Sequence, residues 1–83
     1  MRGMDMPGGI MDNRIAIIDY TTKGDSIYVA MEVFDAEKNK LHREEVRFLG
    51  DMLYGDFIHP ERSALSEECR HQTVHYLKQY FNR

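Results

Sequence analysis

The residues of this chain with the clearest capacity for chemistry lie in "SEECRHQTVHYLKQYF", Ser66 to Phe81. Glu67, His71 and His75 follow one another at four-residue spacing, so a helix would align them in one stripe of side chains that commonly bind divalent metals. Ligands stacked along one helix cannot surround an ion, and Gln72 follows His71 where a metalloprotease motif requires glutamate. We therefore interpret the stripe as a solvated helix face, with an adventitious or dimer-bridged metal and a functional metal site as the alternatives.

Cys69 is the other residue of this segment that could act chemically. A helical projection places it on an apolar arc with Leu65, Thr73 and Tyr76, whereas His71 falls on the opposite side, so no base is within reach of the thiol. We predict a small buried core residue. Since no acid, base and nucleophile converge elsewhere, the sequence indicates neither an enzyme nor a cofactor.

Three apolar segments precede this helix and are typical of strands: Arg14 to Tyr20, Ser26 to Phe34 and Lys40 to Leu49. Gly24 predicts the first tight turn, and Asp35 with Asn39 predicts the second. We expect Tyr20 to face Ser26 and Phe34 to face Leu41, because these registers collect the apolar residues on one face. The predicted core residues of the sheet are Ile15, Ile17, Ile27, Val29, Met31, Val33, Val46 and Phe48.

The predicted fold class is α+β, a three-stranded antiparallel β-meander in the order β-β-β-α with one long C-terminal helix packed on one face. The connector over residues 51–58 is left open as a short fourth strand or a short helix. Residues 1–12, which contain four methionines, are predicted to form a flexible N-terminal arm, and residues 13–83 a single domain.

Composition narrows the classes of function. The chain has 83 residues, 42% of them hydrophobic, and a net charge of −3, which disfavours a basic nucleic-acid binder. The single cysteine cannot form an internal disulfide and fits the cytoplasm. No apolar run approaches the roughly 20 residues of a membrane helix, so no membrane partner is expected.

The predicted registers leave one sheet face without a covering element. They align Arg14, Glu32 and Arg43 across this face and place Arg47 beside Tyr28, among apolar neighbours. The candidate partner or dimer surface comprises Arg14, Ile18, Tyr20, Tyr28, Ala30, Glu32, Arg43 and Arg47. An exposed apolar patch usually indicates a contact surface.

We therefore predict a small non-enzymatic interaction module, a homodimeric bacterial accessory or mobile-element protein that binds a protein partner. The alternative is a nucleic-acid-associated regulator, with single-stranded nucleic acid stacked on Tyr28 and held by nearby arginines.

Overall fold

The structure is a computed structural model that describes residues 12–83. The predicted flexible arm, residues 1–12, lies outside the described residues except for Asp12. The elements, in chain order, are strands β1 (Arg14–Lys23), β2 (Ser26–Asp35), β3 (Lys40–Leu49) and β4 (Met52–Tyr54), a 3-10 helix (Asp56–Ile58) and helix α1 (Glu67–Tyr80).

The α+β class, the antiparallel sheet and the C-terminal helix are confirmed. The number of strands was wrong, because the sheet has four strands in the order β1-β2-β3-β4. The open connector contains both alternatives, since β4 pairs with β3 through Leu53 and Phe48 and the 3-10 helix follows directly. Three residues are too few to produce a recognisable alternation in the sequence.

The β2–β3 hairpin has the predicted register, with Phe34 opposite Leu41 and Val29 opposite Val46. Asn39 has a φ of 53° in its turn, a left-handed conformation that asparagine tolerates better than most residues. His42 faces Val33 on the core side, and the centroid of its ring lies 5.8 Å from that of Phe57.

The predicted β1–β2 register was wrong. Lys23 faces Ser26 across a two-residue turn, and Gly24 occupies its first position with a φ of 57°, a conformation that glycine adopts without steric cost. If the pairing set by this turn continued unchanged along β1, the side chain of Ile17 would point away from the core. A β-bulge between Ile17 and Asp19 shifts the register by one residue, so that Ile17 lies opposite Met31 on the core side.

Helix α1 packs on one face of the sheet and completes the core. The buried apolar residues are Ile27, Val29, Met31, Val33, Val46, Phe48, Phe57, Leu65, Cys69 and Leu77. Ile15 and Ile17 pack against this cluster and are half-buried. The 14 residues of the helix span about 21 Å.

The buried carboxylate of Asp35 fixes the start of α1 relative to the sheet. Ser66, the residue before the helix, donates its backbone N–H to Asp35 Oδ2 at 2.6 Å and its hydroxyl to Oδ1 at 3.0 Å. The backbone N–H groups of Glu37 and Lys38 donate to Oδ1 at 3.1 and 3.3 Å. Burial alone would raise the pKa of Asp35, but these hydrogen bonds lower it below the ordinary value.

Candidate interaction surface

The sheet face opposite α1 has no covering element in the described part of the chain. We call it the outer face. Side chains alternate along each strand, so the register determines its members: Arg14, Ala16, Asp19, Thr21 and Lys23 of β1, Ser26, Tyr28, Ala30, Glu32 and Phe34 of β2, Leu41, Arg43, Glu45, Arg47 and Leu49 of β3, and Met52 and Tyr54 of β4. The exposed large apolar side chains on this face include Leu41, which is 57% exposed, and Met52, which is 60% exposed.

An arginine between two tyrosines is the most distinctive feature of the outer face. Arg47 faces Tyr28 on one side and Tyr54 on the other. Its guanidinium carbon lies 6.0 Å from the centroid of the Tyr28 ring and 5.6 Å from that of Tyr54, within cation–π range. The Tyr28–Arg47 neighbourhood is as predicted. Tyr54 was missed because β4 was not assigned.

Glu32 and Arg43 form the predicted cross-strand pair, with Arg43 Nη2 donating to Glu32 Oε2 at 3.0 Å. The arginine side chain is 74% exposed, so solvent screens this pair and its contribution to stability is small. Arg14 does not join them, contrary to prediction. It faces Phe34, because the β1–β2 register differs by two positions there, and Ala16 takes the place opposite Glu32.

Tyr20 was also predicted on this face, and that placement was wrong. Beyond the bulge the parity of β1 reverses, so Tyr20 faces Val29 on the helix side. Its ring makes edge contacts with Phe81 at 5.1 Å and Tyr80 at 6.4 Å. Ile18 lies at the bulge and is half exposed, and Ala30 lies near the centre of the outer face.

The charges of the outer face alternate in sign. Ala30 lies between Asp19 and Glu45, its partners on the two neighbouring strands. On β3, Glu45 separates Arg43 from Arg47. The three predicted arginines therefore do not form a continuous basic stripe.

The candidate metal-binding residues lie on the exposed side of α1. Glu67, His71 and His75 are exposed, and Arg70 Nη2 lies 3.1 Å from His71 Nε2. Among residues 12–83 no three histidine, cysteine, aspartate or glutamate side chains are grouped closely enough to hold a metal ion.

Cys69 lies on the buried side of α1 and is fully buried, as predicted. Burial, with a smaller contribution from the negative charge of Asp35, raises the pKa of its thiol to about 11. The thiol is therefore protonated at neutral pH and is a poor nucleophile.

None of the helices in the described range is both long and apolar enough to cross a bilayer. Comparison of the chain with protein-family models, curated proteins and solved structures finds no match in any of the three.

Proposed function

We propose that the protein is a non-enzymatic interaction module that pairs with a second copy of itself through the outer face of its sheet and binds a further protein partner. The observation that carries the dimer is the arrangement of residues along β2 and β3. Phe34 faces Leu41, Glu32 faces Arg43, and Tyr28 faces Arg47. Each pair joins two groups that attract one another.

A two-fold dimer requires a surface that complements itself. If the axis runs along the strands between β2 and β3, each β2 residue of one copy lies over the β3 residue that it faces within its own sheet. Glu32 then meets a second Arg43, and Tyr28 meets a second Arg47. The small Ala30 near the centre allows the two sheets to approach closely.

The size of the face indicates a weak dimer. The three long strands are about 33 Å long and together about 14 Å wide, and β4 adds only three residues at one end. A flat face of this size covers about 500 Å² per copy, at the low end for protein interfaces. We therefore expect a dimer that dissociates in the micromolar range (about −8 kcal/mol).

The arginine between two tyrosines favours one second candidate, single-stranded nucleic acid stacked on an open sheet. Asp19, Glu32 and Glu45 on the same face oppose a phosphate backbone, and the net charge of the chain is −3. We therefore rank a regulator of nucleic acid second. Binding of a labelled single-stranded oligonucleotide at low salt, abolished by Arg47→Ala, would reverse this order.

The variant Arg43→Glu tests the dimer. Glutamate at this position would lie over Glu32 of the second copy, and the two-fold axis would create this repulsion twice. The isolated subunit should stay folded, because the Arg43–Glu32 pair is exposed and contributes little to stability. Arg62→Glu makes the same change in charge, removes the exposed Arg62–Asp56 pair away from the outer face and serves as the control. Light scattering over a dilution series should give a dimer for the wild type and the control and a monomer for Arg43→Glu. A wild type that stays monomeric, or a variant that stays dimeric, contradicts the proposal.

We also propose a cytoplasmic location, which is supported by the single cysteine and its buried, protonated thiol. The assignment to bacterial accessory or mobile-element proteins stays a prediction.

A further inference from the structure

Helix α1 is too narrow to cover the sheet on which it packs. Four strands are about 19 Å wide, whereas a helix with its side chains is about 10 Å across. On the β4 side the uncovered width forms a groove with a volume of about 460 Å³. The flank of α1 forms one wall, and β4 with the segment after the 3-10 helix forms the other.

The groove has an apolar floor. Leu53 of β4, Ile58 at the end of the 3-10 helix, Pro60 and Val74 of α1 line it. Leu53, Ile58 and Val74 are half-buried, so each leaves part of an apolar side chain accessible from the groove. Covering these side chains would remove further apolar surface from water and would extend the core.

The wall formed by α1 is basic. Arg70, Val74 and Lys78 are four residues apart and form one stripe about 12 Å long, with a positive charge at each end. Neither Arg70 nor Lys78 forms an ion pair with any residue from 12 to 83. Among the described residues, Asp51 is the one acidic residue that lines the groove. The groove therefore complements an apolar segment with acidic side chains at its flanks.

From this geometry we infer that the groove binds an amphipathic α-helix of a partner protein. The apolar side chains of the partner helix would pack against Val74 and Leu53, and its acidic side chains would lie beside Arg70 and Lys78. A helix fits because the free space lies in the same layer as α1, whereas β4 has only three residues with which an added strand could pair. This inference rests on the proposed function as a protein-binding module. The apolar residues named above and the basic stripe of the groove lie on the side of the sheet opposite the dimer surface, and the two surfaces share Met52 and Tyr54 at the β4 edge.

Two synthetic helical peptides of about 14 residues, or about four turns, provide the test. One carries a leucine stripe flanked by glutamates, and the other has lysine in place of each glutamate. Fluorescence polarisation with the labelled peptides measures binding to the full chain. Because the chain carries a net charge of −3, non-specific attraction would favour the lysine peptide. Preference for the glutamate peptide therefore reports the local charge of the groove.

Reversing both charges in Arg70→Glu with Lys78→Glu should weaken binding of the glutamate peptide about tenfold or more and should create binding of the lysine peptide. The matched control Lys38→Glu with Lys40→Glu makes the same change in charge at the β2–β3 turn, away from the groove and the outer face, and should leave binding unchanged. Equal binding of both peptides to the wild type, no saturable binding, or a double reversal without effect would each overturn the inference. Light scattering on the same samples measures dimer formation separately. A result that contradicts peptide binding in the groove can therefore be distinguished from one that contradicts the dimer.

Discussion

Removing the Asp35 carboxylate should destabilise the fold more than its position beside a turn suggests. Asp35 is fully buried and accepts four hydrogen bonds, two of them from Ser66. In Asp35→Ala the backbone N–H groups of Glu37 and Lys38 can turn to water, because these residues are exposed. Ser66 is 6% exposed, so its N–H and its hydroxyl lose their partner without gaining water.

Each buried donor left without a partner costs about 1–3 kcal/mol, so we expect Asp35→Ala to lose about 2–6 kcal/mol. That is a large part of the 5–15 kcal/mol, roughly, by which a typical domain is stable. Asp35→Asn keeps one acceptor oxygen and should lose about 1–3 kcal/mol. The control Glu37→Ala removes the same charge from an exposed position and should change stability by less than about 0.5 kcal/mol.

Urea unfolding followed by circular dichroism measures these differences, and pH adds a second signature. Because the folded-state pKa of Asp35 is lowered, its contribution is fully present above the unfolded pKa of about 3.9 and is lost as pH falls through the folded value. The difference in the free energy of unfolding between the wild type and Asp35→Asn should therefore decrease as pH falls from about 5 to about 2. An Asp35→Ala variant within about 0.5 kcal/mol of the wild type would refute the assigned role.

Three further predictions concern the helix. Leu77→Ala should lower the free energy of unfolding in urea by about 2–5 kcal/mol, because the side chain is fully buried against the sheet; a loss below about 1 kcal/mol would contradict this packing. The Cys69 thiol, with its pKa raised to about 11, should not react with a disulfide reagent at about pH 8 until urea unfolds the chain, and rapid reaction in the folded state would show that it is accessible. Alanine at both His71 and His75 should change the melting temperature very little, because both side chains are exposed, and stoichiometric zinc lost in the double variant would contradict the interpretation as a solvated face.

The strands could be predicted where alternation allowed only one choice. In β3 a shift of one residue would bury Arg43, Glu45 and Arg47, so the β2–β3 register followed directly from the sequence. In β1 the consecutive apolar residues Ile15 to Ile18 would suit either face of the sheet, so alternation cannot locate a bulge there. The predicted face of Tyr20 and the predicted partner of Arg14 were both wrong because of this bulge and the shifted register.

Long-range contacts could not be predicted from local patterns. The sequence indicates that Asp35 opens a turn, and its bonds to Glu37 and Lys38 agree with this. Its bonds to Ser66, 31 residues later, depend on where the helix packs on the sheet. Tyr54 and the groove beside β4 likewise depend on a strand of three residues that pairs only because β3 provides a template.

A dilution series of two-dimensional amide NMR spectra of the wild-type protein tests the central claim most directly, because it reports both association and the face involved. As the concentration rises from about 10 µM to about 1 mM, across the expected dissociation constant, we predict progressive shifts of the amide signals of Tyr28, Ala30, Arg43 and Arg47, while those of α1 stay fixed. Spectra that do not change with concentration, or shifts confined to α1 and the free edge of β1, would contradict a dimer formed through the outer face.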